Sequence, residues 1–439
     1  MDENIRWKGY FYHPSNKNDQ LPGLLTFNQS DGIELELFGH FETVRSVSSR
    51  EQTILLGFTS EGKKLTLLNC FEDSRGMSLP GFPTSSYSAI YLFVGQHFEG
   101  VDQIEFNSCA IEYQDLNYWL DISGFEVPKY NYEINELNVT YRQPDRITFM
   151  LKEDWKAEFE FVFNRPFEYW QPHSEVRIRQ APIFKLIPSS LTSFNDFHET
   201  YSSFNSFLSI NYFSYPKQLS VTFYIDKEAD DKHGANFIKV DLYFQRGVDF
   251  KNKRHDSRHR FLLEYKNYGE HFDQFVTRWY ELEEIVEASI SILTETLMNR
   301  GNPMELHFIS LVQALENYHR RVIDSNKKSL NIRLDEIVSR LPSKVADVLL
   351  SSEIDFTKRV TKNRNYYTHY SEDHKKFAHS ISELFVLSEK LKLILIVSLM
   401  IDLGLAAEKI ELYVLTKGMY NFNHIIDAKK YTEFIRENA

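Results

Sequence analysis

Short runs in which apolar and polar residues alternate dominate the chain up to about residue 265. In one of them, Ile33, Leu35 and Leu37 alternate with two glutamates, which predicts a β-strand with one face in a core. Pairs of such runs predict hairpins, formed by 54–58 with 65–71, by 147–151 with 157–163, and by 220–225 with 237–244. Many short strands joined by turns favour a β-sandwich, or a pair of packed sheets, over a parallel α/β sheet.

The spacing of apolar residues changes near residues 251–270. Through residues 272–297 they recur every three or four positions, which predicts one buried stripe on a long helix. A second helix is expected to have Asn302 as its N-cap and Pro303 at its first helical position. Its apolar stripe extends through residues 308–322.

Further helices are predicted at about 332–341, 343–350 and 354–364. A longer helix is expected to begin near Ser371, and one or two more follow towards the C-terminus. The residues expected to be buried by this longer helix are Phe377, Ile381, Leu384, Phe385, Leu391 and Leu395.

These patterns divide the chain into a β-rich domain at residues 1–265, a connecting long helix at 266–300 and an all-α domain at 301–439. The predicted fold class is multidomain α+β, in which a β-rich, sandwich-like N-terminal region precedes an all-α helical bundle. A length of 439 residues exceeds the usual size of one domain and agrees with this division.

The composition is that of an ordinary folded protein, with 42% hydrophobic and 26% charged residues. Two cysteines, Cys70 and Cys109, are too few for a disulfide framework or a four-thiolate zinc site, and the N-terminus does not resemble a secretory signal. The longest apolar stretch, around residues 393–400, is too short to span a bilayer. A cytoplasmic location without membrane attachment is therefore expected.

The net charge of −12 argues against broad, nonspecific coating of nucleic acid. Two local clusters are basic, however: residues 358–376 contain six Lys or Arg against two acids, and residues 320–333 contain five against one. Both clusters are either phosphate-binding surfaces or solvated helix faces.

The segment at residues 362–370, Lys-Asn-Arg-Asn-Tyr-Tyr-Thr-His-Tyr, carries the candidate chemistry. Arg364 precedes His369 by five positions, and Asn365 follows the arginine directly. Similar Arg-to-His spacings occur at Arg6 with His13, at Arg254 with His259, and at Arg300 with His307. Of these pairs, we single out Arg364 with His369 because it lies within the predicted helical bundle. A structural role, in which both side chains cap neighbouring helices, is the alternative.

Arginine and histidine suit the cleavage of RNA, which carries its own nucleophile in the 2′-hydroxyl. Cleavage then needs a base for the hydroxyl proton, an acid for the leaving oxygen, and positive charge on the phosphate. Imidazole titrates near neutrality, at roughly pH 6.5, and both donates and accepts protons. Guanidinium offers a planar fork of donors. The expected products are a 2′,3′-cyclic phosphate and a 5′-hydroxyl, no cofactor is expected, and DNA should resist cleavage.

The predicted all-α domain contains an Arg, a polar residue directly after it, and a His after a gap of four. This pattern resembles the R-x4-6-H signature of HEPN ribonucleases. The β-rich half followed by this module resembles the ApeA family of bacterial antiphage defence proteins. The resemblance implies a metal-independent endoribonuclease of the abortive-infection type. It also implies RNA as partner, with tRNA as one candidate, together with a phage-derived trigger and a homodimer or higher even oligomer.

The spacing has a geometric consequence, because positions five apart on an ideal helix differ by roughly 140°. We therefore expect the helix to end between Arg364 and His369, with His369 in a short connection before a new helix at Ser371. A single histidine must then perform two proton transfers unless a second copy contributes. The resemblance implies such a composite site across a homodimer.

Glu316 borders the buried stripe of its predicted helix. The resemblance implies that an acid there orients the catalytic Arg and His, whereas the alternative is an i,i+4 ion pair with Arg320. Asn365 either positions phosphate or water, or caps the helix. Lys362 and Arg320 are candidate phosphate contacts.

Tyr367, like Tyr366, is predicted either to stack on an RNA base or to pack at the helix end. His374 and His379 lack the neighbouring Cys or paired acids that a metal site needs.

Two other functions are compatible with the sequence. In the first, the protein is a noncatalytic interaction protein whose β-rich half binds a ligand and whose helical half only dimerises. In the second, the β-rich half has a carbohydrate-type binding surface, although burial in the core is the expected place of its tryptophans. These are Trp7, Trp119, Trp155 and Trp170.

Overall fold

The computed structural model describes residues 4–41, 54–77, 79–164, 177–227, 236–245, 261–298, 301–351, 353–370, 372–416 and 425–438. Several residues that carry predictions lie outside these ranges: Arg254, His259, Arg300, Trp170 and Ser371. The side chain of His374 is also outside what the structure describes.

The strands of the described residues are β1 (Ile5–Tyr12), β2 (Leu21–Asn28), β3 (Gly32–Leu37), β4 (Ile54–Thr59), β5 (Lys64–Met77), β6 (Pro83–Val94), β7 (Glu105–Phe106), β8 (Ser108–Tyr113), β9 (Lys129–Asn131), β10 (Glu136–Asn138), β11 (Ile147–Lys152), β12 (Trp155–Phe163), β13 (Gln180–Pro188), β14 (Thr192–Ser193), β15 (Gln218–Asp226) and β16 (Phe237–Phe244). The pairings between them are antiparallel. The three predicted hairpins are confirmed as β4 with β5, β11 with β12, and β15 with β16.

Six strands close into a barrel in the order β6, β3, β2, β1, β4, β5, because β5 pairs with both β4 and β6. Apolar side chains that alternate along these strands fill the barrel, among them Phe11, Leu25, Leu35 and Leu67. From β6 the sheet continues through β16, β15, β8, β13, β12 and β11. The predicted β-rich N-terminal region is confirmed, with a barrel and a sheet extension as its form.

The helices are α1 (Leu116–Leu120), α2 (Phe194–Tyr212), α3 (Tyr265–Tyr268), α4 (Phe272–Met298), α5 (Met304–Tyr318), α6 (Leu330–Ser339), α7 (Ser343–Leu350), α8 (Phe356–His369), α9 (Glu372–Lys375), α10 (Ile381–Asp402), α11 (Ala407–Thr416) and α12 (Ala428–Asn438). A π-helical turn, His319–Ile323, follows α5.

The long stripe predicted for residues 272–297 is confirmed, since its apolar residues are buried along α4. Helix α5 begins one residue later than expected. Pro303 is its N-cap, with φ −51° and ψ 135°, so Asn302 lies outside the helix. The rigid ring of proline tolerates this extended conformation as readily as a helical one.

The expected start of the longest C-terminal helix near Ser371 was wrong, because α10 begins only at Ile381. A capping box fixes this start. The Ser380 hydroxyl accepts a hydrogen bond from the Glu383 backbone N–H, and the Glu383 carboxylate accepts one from the Ser380 backbone N–H at 2.8 Å. Leu384, Leu391 and Leu395 are buried as predicted, whereas Ile381 and Phe385 are 65% and 41% exposed.

Helix α4 packs against both parts of the molecule. Trp279 on α4 donates its indole N–H to the Ser203 carbonyl of α2 at 3.1 Å. Further along the same helix, the Ser289 hydroxyl donates to the Ala314 carbonyl of α5 at 2.8 Å. One continuous cluster of buried apolar residues extends from the sheet extension through α4 into the bundle. The C-terminal bundle therefore rests on the β-rich region through a shared helix.

Trp119 and Trp155 are buried in the core, and Trp7 packs edge-on against Tyr243. The suggested carbohydrate surface of exposed tryptophans is therefore not found in the described chain. Cys70 and Cys109 are both buried and free. Within the described ranges, no helix has the length and apolar character needed to cross a membrane.

Candidate active site

Arg364 and His369 lie on the same helix, α8, which continues to His369. The expected helix end between them was therefore wrong. The helix stops one residue later, where Tyr370 takes the left-handed conformation with φ 48° and donates its N–H to the Tyr366 carbonyl at 2.5 Å. This left-handed cap ends α8 without the break that the spacing had suggested.

The two side chains border the exposed face of α8. A helix turns by roughly 100° per residue, so Thr368 and Asn365 lie between Arg364 and His369 when the helix is viewed down its axis. His369 and Thr368 are exposed, and Asn365 and Arg364 are half-buried. Phe356 and Asn363 are buried on the opposite face, and the buried Thr357 and Val360 lie close to Arg364 around the helix, two turns and one turn earlier. Although roughly 140° apart, Arg364 and His369 thus flank one solvent-facing surface.

Among the described residues, neither side chain is engaged by an opposite charge. The Arg364 guanidinium donates to the Asn365 side-chain oxygen at 3.3 Å, which turns it towards the exposed face. Over the described residues it forms no ion pair, and the His369 imidazole there has neither a hydrogen bond nor an ion pair. A positively charged group and an imidazole are thus both available to a ligand on this face of α8.

Glu316 forms an ion pair with Arg320 at 2.6 Å, which is the alternative that the spacing allowed. In the described chain, no hydrogen bond or ion pair joins Glu316 to Arg364 or His369. Near the end of α8, the acids that act electrostatically on Tyr367 are instead Glu305 and Glu383. The structure therefore places Arg364, Asn365 and His369 on one helix face, and among the described residues it pairs Glu316 with Arg320 rather than with Arg364 or His369.

The basic cluster at residues 320–333 is largely engaged within the protein. Arg333 is 2% exposed and donates to the His319 ring at 2.8 Å and to the Asn326 carbonyl at 2.7 Å. Lys328 pairs with Asp324 at 2.6 Å. These contacts favour the interpretation of this cluster as structure around the π-helical turn rather than as a phosphate-binding surface.

Tyr367 packs in a group of three tyrosines at the end of α8. Its ring lies 4.9 Å from that of Tyr366 and 6.1 Å from that of Tyr370, measured between centroids. Its hydroxyl donates to the His379 carbonyl at 2.6 Å. Burial raises the pKa of this phenol, and the negative charge of Glu305 raises it further. These contacts favour packing over stacking on RNA.

Lys362 lies on the exposed side of α8, where its ammonium stands 4.3 Å from the centre of the Phe377 ring. Lys376 approaches the same ring at 5.2 Å. Two cations on one aromatic ring form a positive surface beside α8. Lys362 remains a candidate phosphate contact.

The sequence did not predict the contacts that His379 makes with α8. Asn363 is 1% exposed, and its side-chain oxygen accepts from the His379 backbone N–H at 2.8 Å. Arg359 lies 3.1 Å from the Nε2 atom of the His379 ring. The signal in the sequence is three polar residues, 359, 363 and 367, spaced four apart on a face of α8 that is otherwise buried.

A metal site is not found among the described residues, where no group of three or more His, Cys, Asp or Glu is placed to hold an ion.

A helical bundle that presents an Arg and a His on one exposed helix face, after a β-rich region, defines a two-part protein with a HEPN-type domain. Residues 6–279 match the family model described as ApeA N-terminal domain 1, and residues 309–409 match Apea-like HEPN. Because the first match covers more than half of the 439 residues, the chain belongs to the ApeA family. No curated protein and no solved structure matches it.

The predicted resemblance to ApeA proteins with a C-terminal HEPN domain is thereby confirmed. Helices α5 to α11 and the segment that holds Arg364 and His369 fall within or overlap the HEPN match. HEPN domains are generally ribonucleases, so the C-terminal region is a nuclease-like domain of a defence protein.

Proposed function

We propose that the protein is a metal-independent endoribonuclease that acts in antiphage defence by abortive infection. The observation that carries this proposal is the exposed face of α8, where Arg364 and His369 flank Asn365 without opposing charges among the described residues. A phosphodiester that binds over Asn365 meets a guanidinium on one side and an imidazole on the other.

In the proposed reaction, the RNA 2′-hydroxyl attacks the adjacent phosphorus, and the bond from phosphorus to the 5′-oxygen breaks. His369 takes the hydroxyl proton as general base, a contribution of roughly 10²- to 10⁴-fold. Arg364 stabilises the charge that develops on the phosphoryl oxygens. The leaving oxygen receives a proton, and the products are a 2′,3′-cyclic phosphate and a 5′-hydroxyl. Asn365 holds the Arg364 fork towards the exposed face.

We propose a homodimer, or a higher even oligomer, as the active form, because a second His369 would supply the acid for the leaving oxygen. Exposed apolar residues of the helical bundle support this proposal. Tyr370 and Ile381 are 62% and 65% exposed, and Phe385 and Leu306 are 41% and 59% exposed. Exposed apolar side chains on a domain that carries a half-complete site fit an interface between two copies.

RNA is the proposed substrate, with tRNA as one candidate, and the cytoplasm is the proposed location. The β-rich region is proposed to restrain the HEPN domain until a phage-derived trigger arrives. Helix α4 is the physical link for that restraint because it packs against both α2 and α5.

Digestion of RNA in EDTA by the wild-type chain, by Arg364→Ala and by His369→Ala tests the proposal. We expect cleavage by the wild type in the presence of infected-cell extract, and a loss of at least about 100-fold in each variant. Arg278→Ala is a matched control, because Arg278 lies on an exposed surface of α4. Undiminished cleavage by both site variants would contradict the proposal. A dimer that never cleaves RNA would favour a noncatalytic interaction protein.

A further inference from the structure

We propose that His379 is a positioning residue for the reaction of the preceding section, on which this inference rests. Helix α8 holds His379 by its ring and by both polar groups of its backbone. These contacts, which we call the hold, fix the connection between α8 and α10. They thereby fix the position of the His369 imidazole at the end of α8.

Three side chains of α8, each one turn after the last, make the hold. Arg359 contacts the ring Nε2 atom at 3.1 Å, Asn363 accepts from the backbone N–H at 2.8 Å, and Tyr367 donates to the carbonyl at 2.6 Å. Asn363 also donates to the Arg359 carbonyl at 2.9 Å, which fixes its amide orientation. The backbone N–H, the backbone carbonyl and one ring nitrogen of a residue outside the helix are thus all bound by one stripe of α8, which is more than a chance packing contact requires.

The hold acts on the site through Tyr370. Tyr367, fixed by the His379 carbonyl, packs against Tyr370, whose left-handed conformation ends α8 directly after His369. The terminal turn of a helix frays when it is not tied down. With the hold in place, the backbone of His369 is anchored on the side away from solvent while its imidazole stays exposed.

The contact with Arg359 also sets the protonation state of His379. A guanidinium only donates hydrogen bonds, so the Nε2 atom must carry a lone pair. The charged groups that face the ring are Arg359 of α8, Glu383 of α10, and Glu353 before α8. Burial lowers the pKa of the His379 imidazole, and the Arg359 charge lowers it further. Protonation removes the acceptor and sets two cations against each other, so acid weakens the hold.

Tyr367→Phe tests the hold at its carbonyl end, because phenylalanine keeps the ring for packing or stacking and removes only the hydroxyl. Tyr280→Phe is a matched control, since the Tyr280 hydroxyl donates to the Thr200 carbonyl at 2.8 Å outside the HEPN domain. We expect Tyr367→Phe to lower kcat at least fivefold with KM within twofold of wild type. Tyr280→Phe should leave both unchanged.

His379→Ala and His379→Gln test the ring contact. Glutamine can accept a hydrogen bond from Arg359, so we expect His379→Gln to retain at least half of the wild-type kcat. Because glutamine does not titrate, the decrease of kcat at acidic pH should be smaller in this variant than in the wild type. Alanine should lower kcat at least fivefold. Hydrogen exchange gives a readout that does not depend on cleavage: in Asn363→Leu, the His379 amide should exchange at least tenfold faster than in the wild type.

The two proposals fail in different ways. If the wild type cleaves RNA and both Tyr367→Phe and His379→Ala match Tyr280→Phe in kcat, the positioning role is overturned. A raised KM with unchanged kcat in Tyr367→Phe overturns it as well, because that result assigns Tyr367 to RNA binding. If the wild type cleaves no RNA under any condition, the proposed function is overturned, and the positioning role with it. If the His379 amide exchanges at the wild-type rate in Asn363→Leu, the hold alone is overturned.

Discussion

Arg364 is half-buried, and its described contacts include one neutral hydrogen bond and no carboxylate. Three other arginines of the bundle differ in this respect: Arg320, Arg340 and Arg359 each pair with an acid. A guanidinium that keeps its charge unpaired near the surface retains its full attraction for an anion. This contrast is the residue-level reason to assign Arg364 to phosphate.

Arg364→Lys tests whether the planar guanidinium is needed in addition to its positive charge. Lysine keeps the positive charge but replaces a planar fork by a single ammonium, so we expect RNA cleavage to fall by about 10- to 100-fold, less than in Arg364→Ala. Steady-state cleavage rates of the two variants measure this difference. If Arg364→Lys and Arg364→Ala lose equal activity, a positive charge without the planar fork contributes nothing to cleavage. If Arg364→Lys keeps full activity, the fork is unnecessary.

Glu283 on α4 faces Ser203 of α2, and burial raises its pKa to about 7. Because the folded state binds this proton more tightly than the unfolded chain, the free energy of unfolding falls as pH rises from about 4.5 to about 7. Glu283→Gln removes this dependence. We expect the variant to be more stable than wild type by about 1–3 kcal/mol at pH 8 and equal to it near pH 4.

Urea unfolding of Glu283→Gln at pH 8 and pH 4 measures this effect, with Glu284→Gln as the control on the exposed side of the same helix. A variant that is no more stable than wild type at pH 8 would show that water reaches the carboxylate.

Sequence alone could predict the residues of the candidate site but not their surroundings. Arg364, Asn365 and His369 are adjacent along the chain, and their chemistry follows from their residue types. The ion pair of Glu316 with Arg320 was one of two alternatives that the spacing left open. His379 could not be assigned, because its contacts with Asn363 and Tyr367 depend on how the connection after α8 folds back.

At the scale of elements, periodicity located α4 within one residue but placed the start of α10 about ten residues too early. Acidic residues at 372 and 373 resembled a helix start, and they begin only the single turn of α9. The stronger signal was the capping box of Ser380 with Glu383. Two start signals within ten residues compete, and the one with reciprocal hydrogen bonds begins the long helix.

Helix α2 was not predicted within the β-rich half. Its buried residues include Phe194, Phe197, Tyr201, Phe204 and Leu208, which recur every three or four positions. Aromatic residues generally prefer β-strands. In α2 this preference is overridden, because the apolar residues on one side of the helix pack against the sheet. In this helix Phe204 stacks on Phe184 of β13 at a centroid distance of 3.9 Å.

The capping box predicts the effect of one substitution. Ser380→Ala removes the hydroxyl that accepts from the Glu383 N–H, so we expect the free energy of unfolding to fall by about 1 kcal/mol. Ser329→Ala is the control, because Ser329 is the N-cap residue of α6 but its side chain makes no capping hydrogen bond. Thermal or urea unfolding measures both. Equal stability of the two variants would mean that the box does not hold the start of α10.

At the scale of the whole molecule, one buried cluster connects the sheet extension, α4 and the bundle. Trp279 and Tyr280 contact α2, and Ser289 contacts α5, so the same helix completes both cores. A chain whose two parts share a core helix should unfold as one cooperative unit. We expect a single transition in calorimetry, and two resolved transitions would show that the parts are independent.

The central claim, that Arg364 and His369 promote attack by an RNA 2′-hydroxyl, is tested most directly by the ends of the cleaved fragments. RNA digested by the activated wild-type chain in EDTA should yield 2′,3′-cyclic phosphates and 5′-hydroxyls, and the matching DNA should stay intact. His369→Ala should yield no such fragments. Fragments with 5′-phosphates, or cleavage of DNA at a comparable rate, would contradict the account.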